Sequence, residues 1–147
     1  QLLGETDELV RDKLKATLER TNLIPVVCVG ETLVEREAGR AEATVEGQLK
    51  AIFTSVVVPA GHEIILAYEP IWAIGTGITS TPEQADTMHS FIRQCLGELG
   101  FKGVRILYGG SVKPENAGKL LSRPNIGGLL VGGASLSATD FWSIVFA

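Results

Sequence analysis

Cysteine, histidine and methionine are all scarce in these 147 residues: the chain has two, two and one of them. Cys28 and Cys95 lie far apart and form no CxxC pattern. That disfavours a disulfide framework or a metal site and predicts two buried thiols in a reducing, cytoplasmic compartment. No apolar run reaches membrane-spanning length, and no signal-peptide pattern is visible. Positive charge is outnumbered, with 13 Lys and Arg against 17 Asp and Glu, for a net charge of −4. That argues against nucleic acid or an anionic membrane as partner. An anionic substrate would need local positive potential from loop N–H groups or a few cations. The single methionine is Met88 and the chain begins at Gln1. The expectation is therefore a piece of something longer, or a processed product.

What remains is an ordinary globular composition, 45% apolar and 20% charged, at the length of one domain. Residues 6–20 read as a helix capped by Thr6, with Leu9, Val10, Leu14 and Leu18 at helical spacing. Residues 24–29 read as a strand ended by Gly30. Residues 33–54 return to helical spacing, with Gly39 a weak point. Residues 63–68 are the next strand. Thr81, Pro82 and Gln84 form a capping box that opens a helix running to about Gly100. Residues 103–108 and 127–131 are predicted as third and fourth strands, each followed by a glycine pair. Pro114 starts a short helix between them, and a last helix carries Phe141, Trp142 and Val145. Strands alternating with helices predict parallel pairing and right-handed crossovers. The fold class is α/β.

The most informative stretch is Glu69-Pro70-Ile71-Trp72-Ala73-Ile74-Gly75-Thr76-Gly77, directly after the apolar run Ile64–Tyr68. Strand ends of parallel sheets are where α/β proteins place their chemistry. A carboxylate there is a candidate general base. The loop behind it has a stiff start at Pro70, an apolar body at Trp72 and Ile74, and hinge positions at Gly75 and Gly77. Taken singly, a Glu at a strand end is a solvated charge and glycines mark a turn. The glycine pairs Gly109-Gly110-Ser111 and Gly132-Gly133-Ala134-Ser135 close two strands at the same end. Glycine there lets the backbone approach an anion and point N–H groups at it, although a tight turn uses the same residue.

These segments, together with Cys28-Val29-Gly30-Glu31-Thr32-Leu33, Tyr108-Gly109-Gly110-Ser111-Val112 and Leu130 to Leu136, resemble the triosephosphate isomerase family in order and over nearly the whole chain. The resemblance implies the C-terminal half of a (βα)8 barrel. Residues 1–147 would form one incomplete barrel domain, the fourth helix followed by βα units five to eight, with no linker. It implies an isomerase acting on a phosphorylated triose without metal or cofactor, with Glu69 as the base. Gly75, Ser111, Gly132 and Gly133 would hold the substrate phosphate. Pro70, Ile71, Trp72, Ala73, Ile74, Thr76 and Gly77 would form a lid, with Glu31 and Tyr108 positioning or latching it. The family is itself a standard illustration of a carboxylate base, a neutral histidine and a closing loop.

The family's pattern also includes a Lys after its first strand and a His at the end of its fourth, and neither position is expected here. His62 precedes a strand and should lie at the wrong end. His89 is expected on a helix surface or in its packing, and Lys113 as a solvated charge at a helix start. The parent enzyme is expected to be a homodimer, whose dimer loop this chain lacks. The competing expectation is a non-catalytic half-barrel that self-associates or complements a missing half.

Overall fold

In the computed structural model, residues 4–74 and 80–147 are described. Helix α1 (Asp7–Arg20) leads to strand β1 (Val26–Val29), followed by α2 (Leu33–Glu37) and α3 (Ala41–Phe53). Strand β2 (Ile65–Tyr68) runs into a single 3-10 turn at Ile71–Ala73, and α4 (Pro82–Glu98) follows. Strand β3 (Arg105–Tyr108), α5 (Pro114–Leu121), a second 3-10 turn at Gly133–Leu136 and α6 (Ala138–Val145) complete the order.

Local sequence sets several of these boundaries. Thr6 Oγ1 accepts the Leu9 N–H at 3.3 Å and starts α1. The predicted capping box on α4 is present, with the Gln84 N–H donating to Thr81 Oγ1 at 3.2 Å and the Thr81 N–H to Gln84 Oε1 at 3.0 Å. The helix expected over 33–54 is two helices. Gly39 takes φ +68°, a conformation that costs glycine little and other residues more. It ends α2, and the chain restarts as α3 one turn later.

The strands form one parallel sheet in the order β1-β2-β3. Val29, Tyr68 and Tyr108 stand level across it, as do Val27, Leu66 and Ile106. Side chains alternate along a strand, so these two rows share one face, and both are buried. Leu14, Leu18, Val45, Leu49, Ile92 and Leu96 from α1, α3 and α4 cover them. The helices pack in chain order, α1 on α3, α3 on α4, α4 on α5 and α5 on α6.

The opposite face is largely open, although Ala67 of the central strand is buried on it. Val26, Cys28 and Arg105 are exposed on it. An all-parallel sheet is normally covered on both faces. The expectation of two buried thiols therefore holds for Cys95 but not for Cys28, which points to the open side.

The expected fourth strand at 127–131 is only an isolated bridge from Leu129 to Tyr108. The segment still lies along β3. Gly127 N–H donates to Ile106 O at 2.8 Å, Tyr108 N–H to Gly128 O at 3.0 Å, and Leu130 N–H to Tyr108 O at 2.9 Å. Gly128, at φ +154°, departs from the backbone range of a regular strand, which limits the pairing to this bridge.

Gly30 is where the sheet tolerates no side chain. A Cβ there would lie 1.7 Å from the carbonyl oxygen of Glu69. Gly30→Ala must push β1 and β2 apart and should cost about 3 kcal/mol of unfolding free energy. Gly97→Ala, at a position in α4 where a Cβ meets nothing within 4 Å, should instead stabilise by roughly 0.5–1 kcal/mol. Urea midpoints of the two variants check the pair. Equal midpoints would refute this account of Gly30.

Candidate functional site

The ladder that levels Tyr68 with Tyr108 also sets Glu69 beside Gly109. Glu69 N–H donates to Val29 O at 2.8 Å, and Gly109 N–H to Tyr68 O at 2.8 Å. By strand alternation the Glu69 side chain leaves the sheet on the open face, with Cys28 and Ala67. It passes close over Gly109, where a Cβ would stand 2.5 Å from Glu69 Cγ. Glycine at this position is what admits the carboxylate.

The half-buried carboxylate enters a cleft of about 530 Å³, lined also by Ile74, Ser111, Lys113, Gly132 and Gly133. Five of the expected site residues, Glu69, Ile74, Ser111, Gly132 and Gly133, thus share one cavity. Ser111 lies in a loop tied to the start of α5, where its carbonyl accepts Asn116 Nδ2 at 2.9 Å and Asn116 Oδ1 accepts the Lys113 N–H at 2.8 Å. Lys113 is exposed, as expected of a helix-start charge, and also borders the cleft. Gly132 and Gly133 are exposed, and a Cβ on either would meet nothing within 4 Å.

A second constellation lies behind the cleft. Glu31 is fully buried. Its carboxylate accepts Tyr68 Oη at 3.0 and 3.1 Å and Trp72 Nε1 at 2.9 Å, and Arg36 Nη1 stands 3.2 Å away. The Arg36 guanidinium lies 4.6 Å from the centre of the Trp72 ring. The Glu31 carbonyl also accepts the Ile71 N–H at 3.0 Å. A buried carboxylate needs such partners, and here they fasten the segment that follows Glu69. Pro70, Trp72 and Ala73 are buried, Ile71 is half-buried and Ile74 turns into the cleft. Burial, then the adjacent Glu31 charge, push the Tyr68 phenol well above its ordinary pKa.

Tyr108 is buried beneath the glycine loop, and a Cβ on Gly110 would lie 2.2 Å from its hydroxyl oxygen. Burial raises its phenol pKa and the Ser80 backbone opposes that rise. Among the described residues the hydroxyl nevertheless has no well-formed hydrogen-bond partner. Gly75, Thr76 and Gly77 lie outside the described residues.

His62 sits at the far end of the sheet, with Nε2 3.3 Å from Thr21 O. His89 is fully buried, so of the two expectations for it packing holds and surface does not. Sequence reasoning missed Tyr68 and Arg36 as partners of Glu31. The alternation rule would have placed Tyr68 on the helix side, but nothing in the spacing pairs it with Glu31. Among the described residues no cluster of ligand side chains suits a metal ion, and no helix is long and apolar enough to cross a membrane.

The triosephosphate isomerase family model matches residues 1–147. The chain belongs to the triosephosphate isomerase family. It is 50% identical over 151 residues to the triosephosphate isomerase of Rhodopirellula baltica, covering all of this chain and 59% of that relative. It is 50% identical over 146 residues to that of Dechloromonas aromatica, covering 97% and 58%. The isomerase of a Roseiflexus species is 49% identical over 148 residues, with 98% and 58% covered. The chain thus spans somewhat under three-fifths of the length of these relatives. Parallel strands alternating with helices, and a partial three-stranded sheet, agree with part of that family's barrel.

Cys28 reports on the Glu69 charge. Crowding around the sulfur, then the Glu69 carboxylate, push its thiol up to about 12. Iodoacetamide should alkylate Cys28 slowly at pH 8, and Glu69→Gln should speed it several-fold by releasing the thiolate. Mass-resolved alkylation rates check this, and an unchanged rate would separate the two groups.

Proposed function

We propose that this polypeptide is the base-bearing and phosphate-binding part of a triosephosphate isomerase, with residues 1–147 forming one incomplete barrel unit. The complete enzyme would interconvert dihydroxyacetone phosphate and glyceraldehyde 3-phosphate through an enediolate. The observation that carries this reading is the single cleft shared by Glu69, Ser111 and the Gly132-Gly133 loop.

The chemistry follows from the arrangement. The C–H next to a ketone or aldehyde is weakly acidic, so a carboxylate removes its proton only when held close and partly desolvated. Glu69 is half-buried at the strand end, with the Pro70–Ile74 segment tied down beside it. Glu69 would take the proton from one carbon and return it to the next. Ser111, Gly132 and Gly133, joined by Gly75, would hold the phosphate through backbone N–H groups. The segment from Pro70 to Gly77, with Tyr108 and Glu31, would keep water out and stop the intermediate from eliminating phosphate. The family's Lys and His, which offset charge on the substrate oxygens, would come from residues outside this chain. No cofactor or metal enters the scheme. The complete enzyme would be a cytoplasmic homodimer, with neither nucleic acid nor membrane as partner.

In the complete barrel, Glu69→Gln should lower turnover by several powers of ten, because the base disappears while the phosphate site stays. Steady-state kinetics on the triose phosphates check it. Near-normal turnover would sink the assignment.

A second reading concerns the chain by itself, and the exposed apolar residues favour it. Leu136 is 90% exposed, Trp142 67% and Phe146 68%, and one sheet face is open. Such a surface invites association. The isolated chain should therefore be a non-catalytic half-barrel that self-associates, or that complements a separately supplied N-terminal half. Light scattering should give a mass above that of one chain. A monomer with a cooperative melt would count against it.

A further inference from the structure

His89 is fully buried, and the mechanism above leaves it without a task. It projects from α4 onto the helix-side face of the sheet, under the ends of β2 and β3. Its ring meets Tyr68 edge-on with centroids 5.8 Å apart, and lies at a tilt of 39° to Tyr108 at 6.3 Å. Its Nδ1 stands 3.3 Å from the backbone oxygen of Asn125. A carbonyl only accepts, so that contact places the ring proton on Nδ1. Burial lowers the pKa to about 4, which keeps the ring neutral near pH 7.

Each of those three contacts leads to a different wall of the cleft. Tyr68 directly precedes Glu69. Tyr108 directly precedes Gly109-Gly110-Ser111. Asn125 begins the segment that lies along β3 and carries Gly132 and Gly133. Helix α4 grips Asn125 twice more, through Arg93 Nη2 on its carbonyl at 3.1 Å and through Asp86 Oδ1, which accepts its N–H at 2.9 Å. Asp86, His89 and Arg93 follow at intervals of three and four and so share a helix face.

We propose that His89 is a positioning residue, whose ring fixes the mutual placement of the three segments that bear Glu69, Ser111 and Gly132-Gly133. Its hydrogen-bond and ring partners are the neighbours of those site residues. It acts through Tyr68, Tyr108 and Asn125 from the far side of the sheet. This role rests on the isomerase reading for its effect on turnover, but not for its geometry.

The geometry can be read first. The chain has two tyrosines, so 3-fluorotyrosine labelling gives two fluorine signals, from Tyr68 and Tyr108. His89→Ala should move both. Leu96→Ala, about 10 Å further along α4, opens a cavity in the same helix and should move neither. Turnover is read in the complete barrel. His89→Ala should lower kcat about tenfold or more while KM stays within about threefold, since proton transfer is sensitive to small misplacement. Leu96→Ala should keep kcat per folded molecule within about twofold of wild type. Should His89→Ala fail to fold, His89→Phe carries the test. It keeps an aromatic ring between the tyrosines, loses the Asn125 bond, and should fall between Ala and wild type in kcat. Unmoved fluorine signals, or a kcat equal to that of Leu96→Ala, would overturn the proposal. A wild-type barrel without isomerase activity would instead sink the isomerase reading, and the fluorine signals would still decide the role of His89.

Discussion

The parallel register that brings Val29, Tyr68 and Tyr108 level is the constraint on which the rest depends. One residue further along, it sets Gly30, Glu69 and Gly109 side by side. Glu69 is the only one of the three with a side chain. The glycine on one side accommodates its carbonyl, and the glycine on the other accommodates its Cγ. A slip of one residue would turn Glu69 toward the helices and Tyr68 toward the open face. The candidate base is therefore aimed by the backbone ladder before any side chain contributes.

Beneath that row the buried polar chemistry gathers on the helix side. Glu31 is buried with a phenol, an indole and a guanidinium around it, and among the described residues no other carboxylate is as fully enclosed. Ion pairs of this kind are weak contributors to net stability but expensive to break. Their effect here is directional. Glu31 reaches Tyr68 at the end of β2 and Trp72 and Ile71 in the following turn, so the backbone on both sides of Glu69 is tied to one group. His89 sits in the neighbouring gap and bears on Tyr68 and Tyr108 together. The open face has a different character. Its apolar residues and its cleft face outward, which is the expected appearance of part of a barrel whose family relatives are considerably longer.

Much of this was legible in the residues. The strand–helix alternation, the caps at Thr6 and Thr81, and the turn that follows Glu69 up to Ile74 came from local pattern. Local pattern is reliable where propensity, spacing and capping chemistry agree. It failed where one glycine outweighed a periodic run, as at Gly39, and where glycines degraded an extended segment, as at Gly127 and Gly128. It also misjudged Cys28. A small apolar residue in a strand is ordinarily buried, but Val26 and Cys28, half of the β1 side chains, are exposed.

The sequence by itself determined the alternation of strands and helices, the family and the identity of the candidate base, because each is written in contiguous residues whose local chemistry is self-contained. The tertiary structure alone decided which residues meet. Glu31 and Tyr68 are 37 positions apart, and His89 and Asn125 are 36 apart. Such pairings depend on strand register and on which face each side chain takes, and spacing along the chain does not encode either.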